Sequence, residues 1–420
     1  MSILADLLST LFERRYASDG EKDDRPLFEL FHDLLTSRGD VSGVNLARRI
    51  LDRYALLDDD GKREVFEYLY EHMDIDVPAV ESALAEYAAA RSHEAYRRLV
   101  RAAEPDRQEF ARRLNQVPGA TARLVEMRTD LLRFSRDNPS LLIVDQDFRH
   151  LFGSWFNRGF LVLRAITWSS PANILEKIIA YESVHAIQSW DDLRLRLEPE
   201  DRRCFAFFHP AMPDEPLIFV EVALTRGIAG SIQDVLAEER EILPRGDANT
   251  AVFYSISNCQ AGLAGISFGN SLIKQVVADL SREVPELETF VTLSPIPGLA
   301  AWLEGRGLAG AVGDPVRLAA LTARYIVEAK RDDGKPLDPV ARFHLNNGAV
   351  VHRVHPRGDL SSKGLAQSGG AMVNYLYDLK KIEQNHENYA NHQKVAASKE
   401  VLELSRSARD VEPAEKRKTS

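Results

Sequence analysis

Residues 251–280 read AVFYSISNCQAGLAGISFGNSLIKQVVADL, and the reading of this stretch decides the fold. Its first seven residues are β-branched and aromatic, as in a buried strand. QAGLAGISFGN follows as a turn of small residues. Ser271–Leu280 then carries the apolar spacing of an amphipathic helix, and a second strand-like run ends in Thr292-Leu293-Ser294-Pro295-Ile296-Pro297-Gly298. Strand, Gly-rich turn, helix and strand form a βαβ unit whose turn faces the amino end of the helix. Backbone N–H groups and the helix dipole suit that place to phosphate. The second strand delivers a serine at its carboxyl end, where parallel sheets usually hold ligands.

Outward from this unit the texture changes twice. Before Leu142 the chain reads as helical: Val65, Phe66, Leu69, Tyr70 and Met73 form one apolar face, and Val80, Leu84 and Tyr87 continue it beyond Pro78. Tyr96, Leu99 and Val100 open another helix, and Phe110 and Leu114 a further one. Residues 1–142 are therefore predicted to form a helical bundle serving packing or oligomerisation, with Asn138-Pro139-Ser140 at its end. Residues 143–394 alternate strands (Arg203–Phe208, Leu217–Leu224) with helices (Ile174–Tyr181, Ser231–Leu236, Val316–Glu328), an α+β or α/β pattern. Val340–Val354 reads as strand with a hairpin turn at Asn346-Asn347-Gly348. Ser361–Gly370 reads as a mobile loop, and residues 395–420 as a charged, flexible tail.

The totals restrict the function classes. The 420 residues are 45% hydrophobic and suffice for a large core; Lys+Arg 53 against Asp+Glu 63 gives a net charge of −10. That balance argues against a dedicated nucleic-acid binder. Two cysteines, Cys204 and Cys259, support neither a disulfide framework nor a thiolate metal cluster. No apolar run approaches the ~20 residues of a membrane span. Met1-Ser2-Ile3-Leu4 does not open a basic-then-apolar leader, and a cytoplasmic protein is the expectation.

Several residues carry candidate chemistry, each beside a blander reading. Gly265-Ile266-Ser267-Phe268-Gly269 fits G-x-S-x-G, but a nucleophile elbow needs its serine directly after a strand, and Asn258–Ala264 intervene. The turn Ala264, Gly265, Ile266, Ser267, Phe268, Gly269 and Asn270 is better suited to phosphate, or simply to packing helix on sheet. Ser294, between a strand and two prolines, is either a turn residue or a rigidly aimed hydroxyl. His344, among apolar neighbours, is either a hydrogen-bonded core residue or a catalyst. His185 and His209 read as structural, and His352 and His355 as exposed; with no third ligand at suitable spacing no metal is expected. Tyr375 and Tyr377 read as packing residues, one of which could close over a site.

Taken together, LFGSWFNRGFLVLRAITWSSPANILEKI, RRCFAFFHP, EPLIFVEVALT, AVFYSISNCQAGLAGISFGNSLIKQVV, LSPIPG, RFHLNNGAVVHRV and MVNYLYDL occur in order over most of residues 151–378. In these segments the chain resembles malonyl-CoA decarboxylases. The resemblance implies a helical oligomerisation domain, making a dimer or tetramer, and a catalytic domain of the GNAT acetyltransferase type. In that fold two parallel strands splay and admit the pantetheine arm of coenzyme A, with the pyrophosphate on the turn 264–270. It also implies a catalytic pair at Ser294 and His344, supported by Tyr377. Some members carry a glutamate in the Gly-rich turn where this chain has Ser267. The implied reaction loses CO2 from malonyl-CoA through a thioester enolate, with malonyl-CoA and acetyl-CoA the only small molecules. No cofactor beyond the coenzyme A moiety is expected, since the thioester is itself the electron sink. A GNAT-type acyltransferase, a serine hydrolase using Ser267 and a non-catalytic acyl-CoA sensor are the alternatives.

Overall fold

A computed structural model of the chain describes residues 24–37, 39–266 and 272–411. Two compact units emerge, residues 1–160 with 260–267, and 161–259 with 268–420. Ser267, Phe268, Gly269 and Asn270 lie outside the described residues.

The first unit is helical throughout, from Leu27–Thr36 to Leu142–Trp155. Asp58, Asp76 and Ser92 cap successive helices by accepting N–H bonds from Gly61, Ala79 and Ala95. Phe31, Val65, Phe66, Leu69, Phe110, Leu124, Leu131, Phe134 and Phe152 fill the core. Leu151, Phe152 and Trp155 lie on the last of these helices, Leu142–Trp155. On the hairpin Val77–Ala90 and His93–Ala102 the apolar periodicity stays half exposed: Leu84, Tyr96 and Val100 are 53%, 51% and 52% exposed, with Tyr96 packed on Tyr87.

The second unit is built on one mixed sheet. Its strands are β1 (Val162–Ile166), β2 (Arg202–His209), β3 (Met212–Thr225), β4 (Thr250–Asn258), β5 (Thr289–Thr292), β6 (Ser294–Pro295), β7 (Val350–His355) and β8 (Met372–Leu376). The order is β1-β2-β3-β4-β5-β8-β6, with β7 also on β8. Every pairing is antiparallel except β4 with β5, which run parallel from Thr250↔Thr289 to Phe253↔Thr292. Helix Leu272–Glu283 makes the crossover, burying Leu272, Ile273, Val276, Val277 and Leu280 on the face that also holds Phe205, Phe207, Val220 and Phe253. The opposite face packs Ile174, Ile178 and Leu193 against Cys204, Ala206 and Phe219. Beyond Phe253 and Thr292 the parallel pair parts: β4 stays on β3, whereas β6 turns to β8. This is the splay expected of a GNAT-like domain.

Three expectations are corrected. Residues 339–346 form a helix, not a strand of a hairpin, because Asp338 caps it (Ala341 N–H to Oδ1, 2.7 Å) and Pro339 fits its first turn; Asn346-Asn347-Gly348 ends that helix. Ser362–Ser368 is helical rather than loop, capped by the Ser361 hydroxyl, which accepts Gly364 N–H at 3.1 Å. Within the anticipated tail, Lys399–Val411 is a helix. Its small residues Val401, Ser405 and Ala408 share one buried stripe, and the Ser405 hydroxyl donates to Glu328. The charged residues between them masked that stripe in the composition.

Candidate active site

The splay creates the site. Thr292 closes β5, Leu293 donates its N–H to Phe253 O (2.9 Å), and Ser294 starts β6 already turned away from β4. Helix Pro339–Asn346 presents His344 from its last turn, and Tyr377 follows the end of β8, tied back by its N–H to Phe290 O at 2.9 Å. Ser294, His344 and Tyr377 thus meet from three elements, all nearly excluded from solvent.

Their hydrogen bonds run in one direction. The Ser294 hydroxyl donates to Thr292 Oγ1 (2.8 Å), so Ser294 Oγ accepts from His344 Nε2–H (3.1 Å). His344 Nδ1 then accepts the Tyr377 hydroxyl at 2.7 Å. Tyr375 lies almost flat on the imidazole, with ring centres 4.5 Å apart and planes 22° apart. Its own N–H donates to Thr292 Oγ1 (3.1 Å), and Asn374 Nδ2 donates to Thr292 O at 2.8 Å. Burial with no carboxylate beside it pushes His344 down to about 3 and the Tyr377 hydroxyl well above its ordinary value. The ligand-free imidazole is therefore neutral at pH 7. An unperturbed histidine, titrating near pH 6.5, is not what the fold provides.

Ser294 and His344 both line a cavity of ≈ 250 Å³ whose walls include Phe253, Ile256, Asn258, Leu293 and Phe343. Whole small-molecule sites span roughly 300–1,000 Å³, so this one fits an arm of a ligand rather than an entire coenzyme. Two strands that no longer pair supply opposite walls, which is why the cavity lies where it does.

Sequence reasoning missed Thr292 and the stacking of Tyr375. T-x-S at a strand end is the available signal for the first, since alternate strand residues share a face. The remaining histidines lie elsewhere. His209 Nδ1 accepts Ala211 N–H at a turn. His352 and His355 are half-buried on β7 rather than exposed, and His355 bonds to Asn374. Of the turn assigned to phosphate, Ala264, Gly265 and Ile266 are described and belong to the helical unit. There Arg128, only 1% exposed, donates to Gly262 O (2.6 Å) and Ala264 O (3.0 Å) and pairs with Asp145 at 2.7 Å. A Cβ on Gly262 would collide with Val125 O, so only glycine allows this approach.

Family models agree with this architecture. Residues 74–156 match the malonyl-CoA decarboxylase N-terminal domain, and residues 159–312 and 311–416 match the malonyl-CoA decarboxylase C-terminal domain. The chain belongs to the malonyl-CoA decarboxylase family. A mitochondrial malonyl-CoA decarboxylase of Anser anser anser is 36% identical over 343 residues, 69% of this chain and 67% of the relative. Among solved structures, malonyl-CoA decarboxylase from Rhodopseudomonas palustris superposes with a TM-score of 0.86 at 49% identity, covering 90% of this chain and 98% of that one. The decarboxylase from Agrobacterium vitis gives 0.85 at 48% identity, over 90% and 99%. Within the family, the residues that this chain brings to the splay are Ser294, His344 and Tyr377, with Thr292 behind them.

Proposed function

We propose that the protein decarboxylates malonyl-CoA to acetyl-CoA and CO2, with Ser294 and His344 holding the malonyl carboxylate at the closed end of the splay. The observation that carries the reading is the hydrogen-bonded chain Tyr377–His344–Ser294–Thr292 opening on an arm-sized, mostly apolar cavity. On substrate binding the Ser294 hydroxyl and His344 Nε2–H leave Thr292 Oγ1 and Ser294 Oγ and become donors for a carboxylate held out of the thioester plane. Loss of CO2 then leaves the electron pair on the thioester as an enolate, so no cofactor beyond the coenzyme A moiety is called for.

The proton enters with the substrate. Burial alone keeps His344 neutral, and an arriving carboxylate supplies the missing countercharge and raises its pKa. The resulting imidazolium–carboxylate pair loses its carboxylate as neutral CO2. The imidazolium gives its proton to C2, general acid catalysis worth roughly 10²–10⁴-fold, and returns to the neutral ring. The incoming proton lodges on Nδ1, where the Tyr377 phenol turns from donor to acceptor of their bond, and Nε2 carries the proton given to C2. The turn at 264–270 is assigned to the coenzyme A pyrophosphate.

Self-association through the helical unit is the companion proposal, resting on the apolar, half-exposed Leu84, Tyr96 and Val100. Leu84→Glu in that face lowers the mass seen by sedimentation if it is the interface; an unchanged mass removes it. Cys204 and Cys259 are free, buried thiols, in keeping with the proposed reducing, cytoplasmic compartment. Among the described residues no helix is long and apolar enough to cross a membrane.

Incubation with malonyl-CoA alone tests the reaction. Release of acetyl-CoA and CO2 with no acceptor present supports decarboxylation. Acyl transfer only when an amine is added, or no turnover, contradicts it.

A further inference from the structure

Between the two places where β8 meets the chain that carries Ser294, the ladder lapses. Val291 pairs with Leu376, and Ser294 with Val373, in one antiparallel register. That register sets Thr292 and Leu293 opposite Tyr375 and Asn374, yet among the described residues no strand pairing joins these. Side chains span the gap instead. Thr292 Oγ1 accepts Tyr375 N–H at 3.1 Å, and Thr292 O accepts Asn374 Nδ2 at 2.8 Å.

Asn374 is wholly buried and its orientation is forced. Its amide nitrogen donates to Ala229 O (3.1 Å) as well as to Thr292 O, so both of its hydrogens are committed to carbonyls. The amide oxygen then needs a donor, and His355 Nε2–H on β7 is the group that meets it. A Cβ on Gly230 would stand 2.6 Å from His355 Nδ1, so a glycine there leaves the imidazole its place. His355, Asn374 and Thr292 are thus fastened in series.

The end of that series lies under the serine. Thr292 and Ser294, two residues apart, present their hydroxyls to each other at 2.8 Å. Before substrate binds, Thr292 Oγ1 accepts the Ser294 proton. Once Ser294 and His344 turn their donors to the malonyl carboxylate, Ser294 Oγ is left as an acceptor without a donor. The Thr292 hydroxyl, still held by Tyr375 N–H, can rotate its own hydrogen onto that oxygen. Ser294 stays supported in both states only while Thr292 keeps its place, and the carbonyl bond from Asn374 fixes that place.

We infer that Asn374, oriented by His355, is a positioning residue for the decarboxylation, acting through Thr292 on the aim of Ser294. The inference rests on the decarboxylase reading above and adds two residues that do not line the cavity.

The test is a double-mutant cycle in the full-length protein: Asn374→Ala, Thr292→Val and the two together, with His355→Leu as a second probe. Asn374→Ala lowers kcat for malonyl-CoA about tenfold, the size of one lost hydrogen bond, with KM held. Added to Thr292→Val it costs little more, because both act on the one serine. His355→Leu lowers kcat by less, again with KM held. Losses that multiply in the double variant, a change confined to KM, or a lowered melting temperature with kcat intact overturns the inference. Should Asn374→Ala fail to fold, His355→Leu takes its place in the cycle with the same criteria. Absence of turnover by the wild type counts against the decarboxylase reading instead. Positioning is then judged from crystal structures of the wild type and the folded variant: a Ser294 hydroxyl turned away from Thr292 Oγ1 in the variant supports it, and an unaltered 2.8 Å contact overturns it.

Discussion

At the scale of the residue, the account turns on a histidine that is the wrong acid until its substrate arrives. Solvent exclusion holds His344 down to about 3, so at pH 7 a free-enzyme imidazolium is absent. Binding of the malonyl carboxylate must then draw a proton from solvent. Calorimetric titration at pH 7 with an unreactive malonyl-CoA analogue, in buffers of different ionisation enthalpy, should register uptake of about one proton in the wild type and none in His344→Asn. A buffer-independent heat in the wild type contradicts this scheme. Which residues take part was legible only through the resemblance. LSPIPG and RFHLNNGA carry no pattern that pairs a serine with a histidine 50 positions away, and spacing alone left both as turn or core residues. The neutral state of the ring was not legible at all, because it comes from burial by Phe343 of its own helix together with Tyr375 and Tyr377 from the distant β8 segment.

Among the elements, the short helix Pro339–Asn346 carries the most consequence per residue. Its position depends on Asp338, buried at its amino end, where burial raises the carboxyl to about 6. Asp338→Ala removes the bond to Ala341 N–H and should destabilise the protein by about 0.5–2 kcal/mol, with turnover falling more than substrate affinity because His344 shifts. Asp338→Asn, which keeps an acceptor oxygen, should retain most of both. Thermal melts with steady-state kinetics check the pair, and equal behaviour of the two variants sinks the capping argument. The Asp-Pro dipeptide at 338–339 was the available helix-start signal, but Val340 and Val350–Val354 drew the reading toward strand. By contrast β3, β4 and the crossover helix Leu272–Glu283 were readable directly, since long apolar runs and a 3.6-residue stripe leave little choice. The carboxyl-terminal helix shows the opposite case: three small residues, Val401, Ser405 and Ala408, define its buried face and carry too little hydrophobicity to stand out among charges.

Across the whole molecule, two histidines kept neutral contribute to the response to acid. His344 lies near 3, and His185 is pushed to about 4 by desolvation, against the attraction of Asp359 and with Arg196 and Lys363 opposing its charge. Both folded values are below the unfolded one, near 6.5. Between about pH 4 and 6.5 the unfolded chain therefore binds protons that these rings refuse, and their effect is a stability that falls as the pH falls through that window. Each such proton steepens the dependence by about 1.4 kcal/mol per pH unit. His185→Asn should flatten the curve of unfolding free energy against pH by roughly one proton over that range, as followed by urea titrations at several pH values. An unchanged slope would mean that His185 titrates normally in the folded chain.

The splay of β4 from β6 gives these scales a common point, since it opens the cavity and aims Ser294 at His344. The most direct measurement is therefore acetyl-CoA and CO2 formation from malonyl-CoA by His344→Asn beside the wild type, with coenzyme A affinity measured on both. The account predicts turnover reduced by at least about 10²-fold with affinity for coenzyme A nearly intact. Comparable turnover in the variant would contradict it.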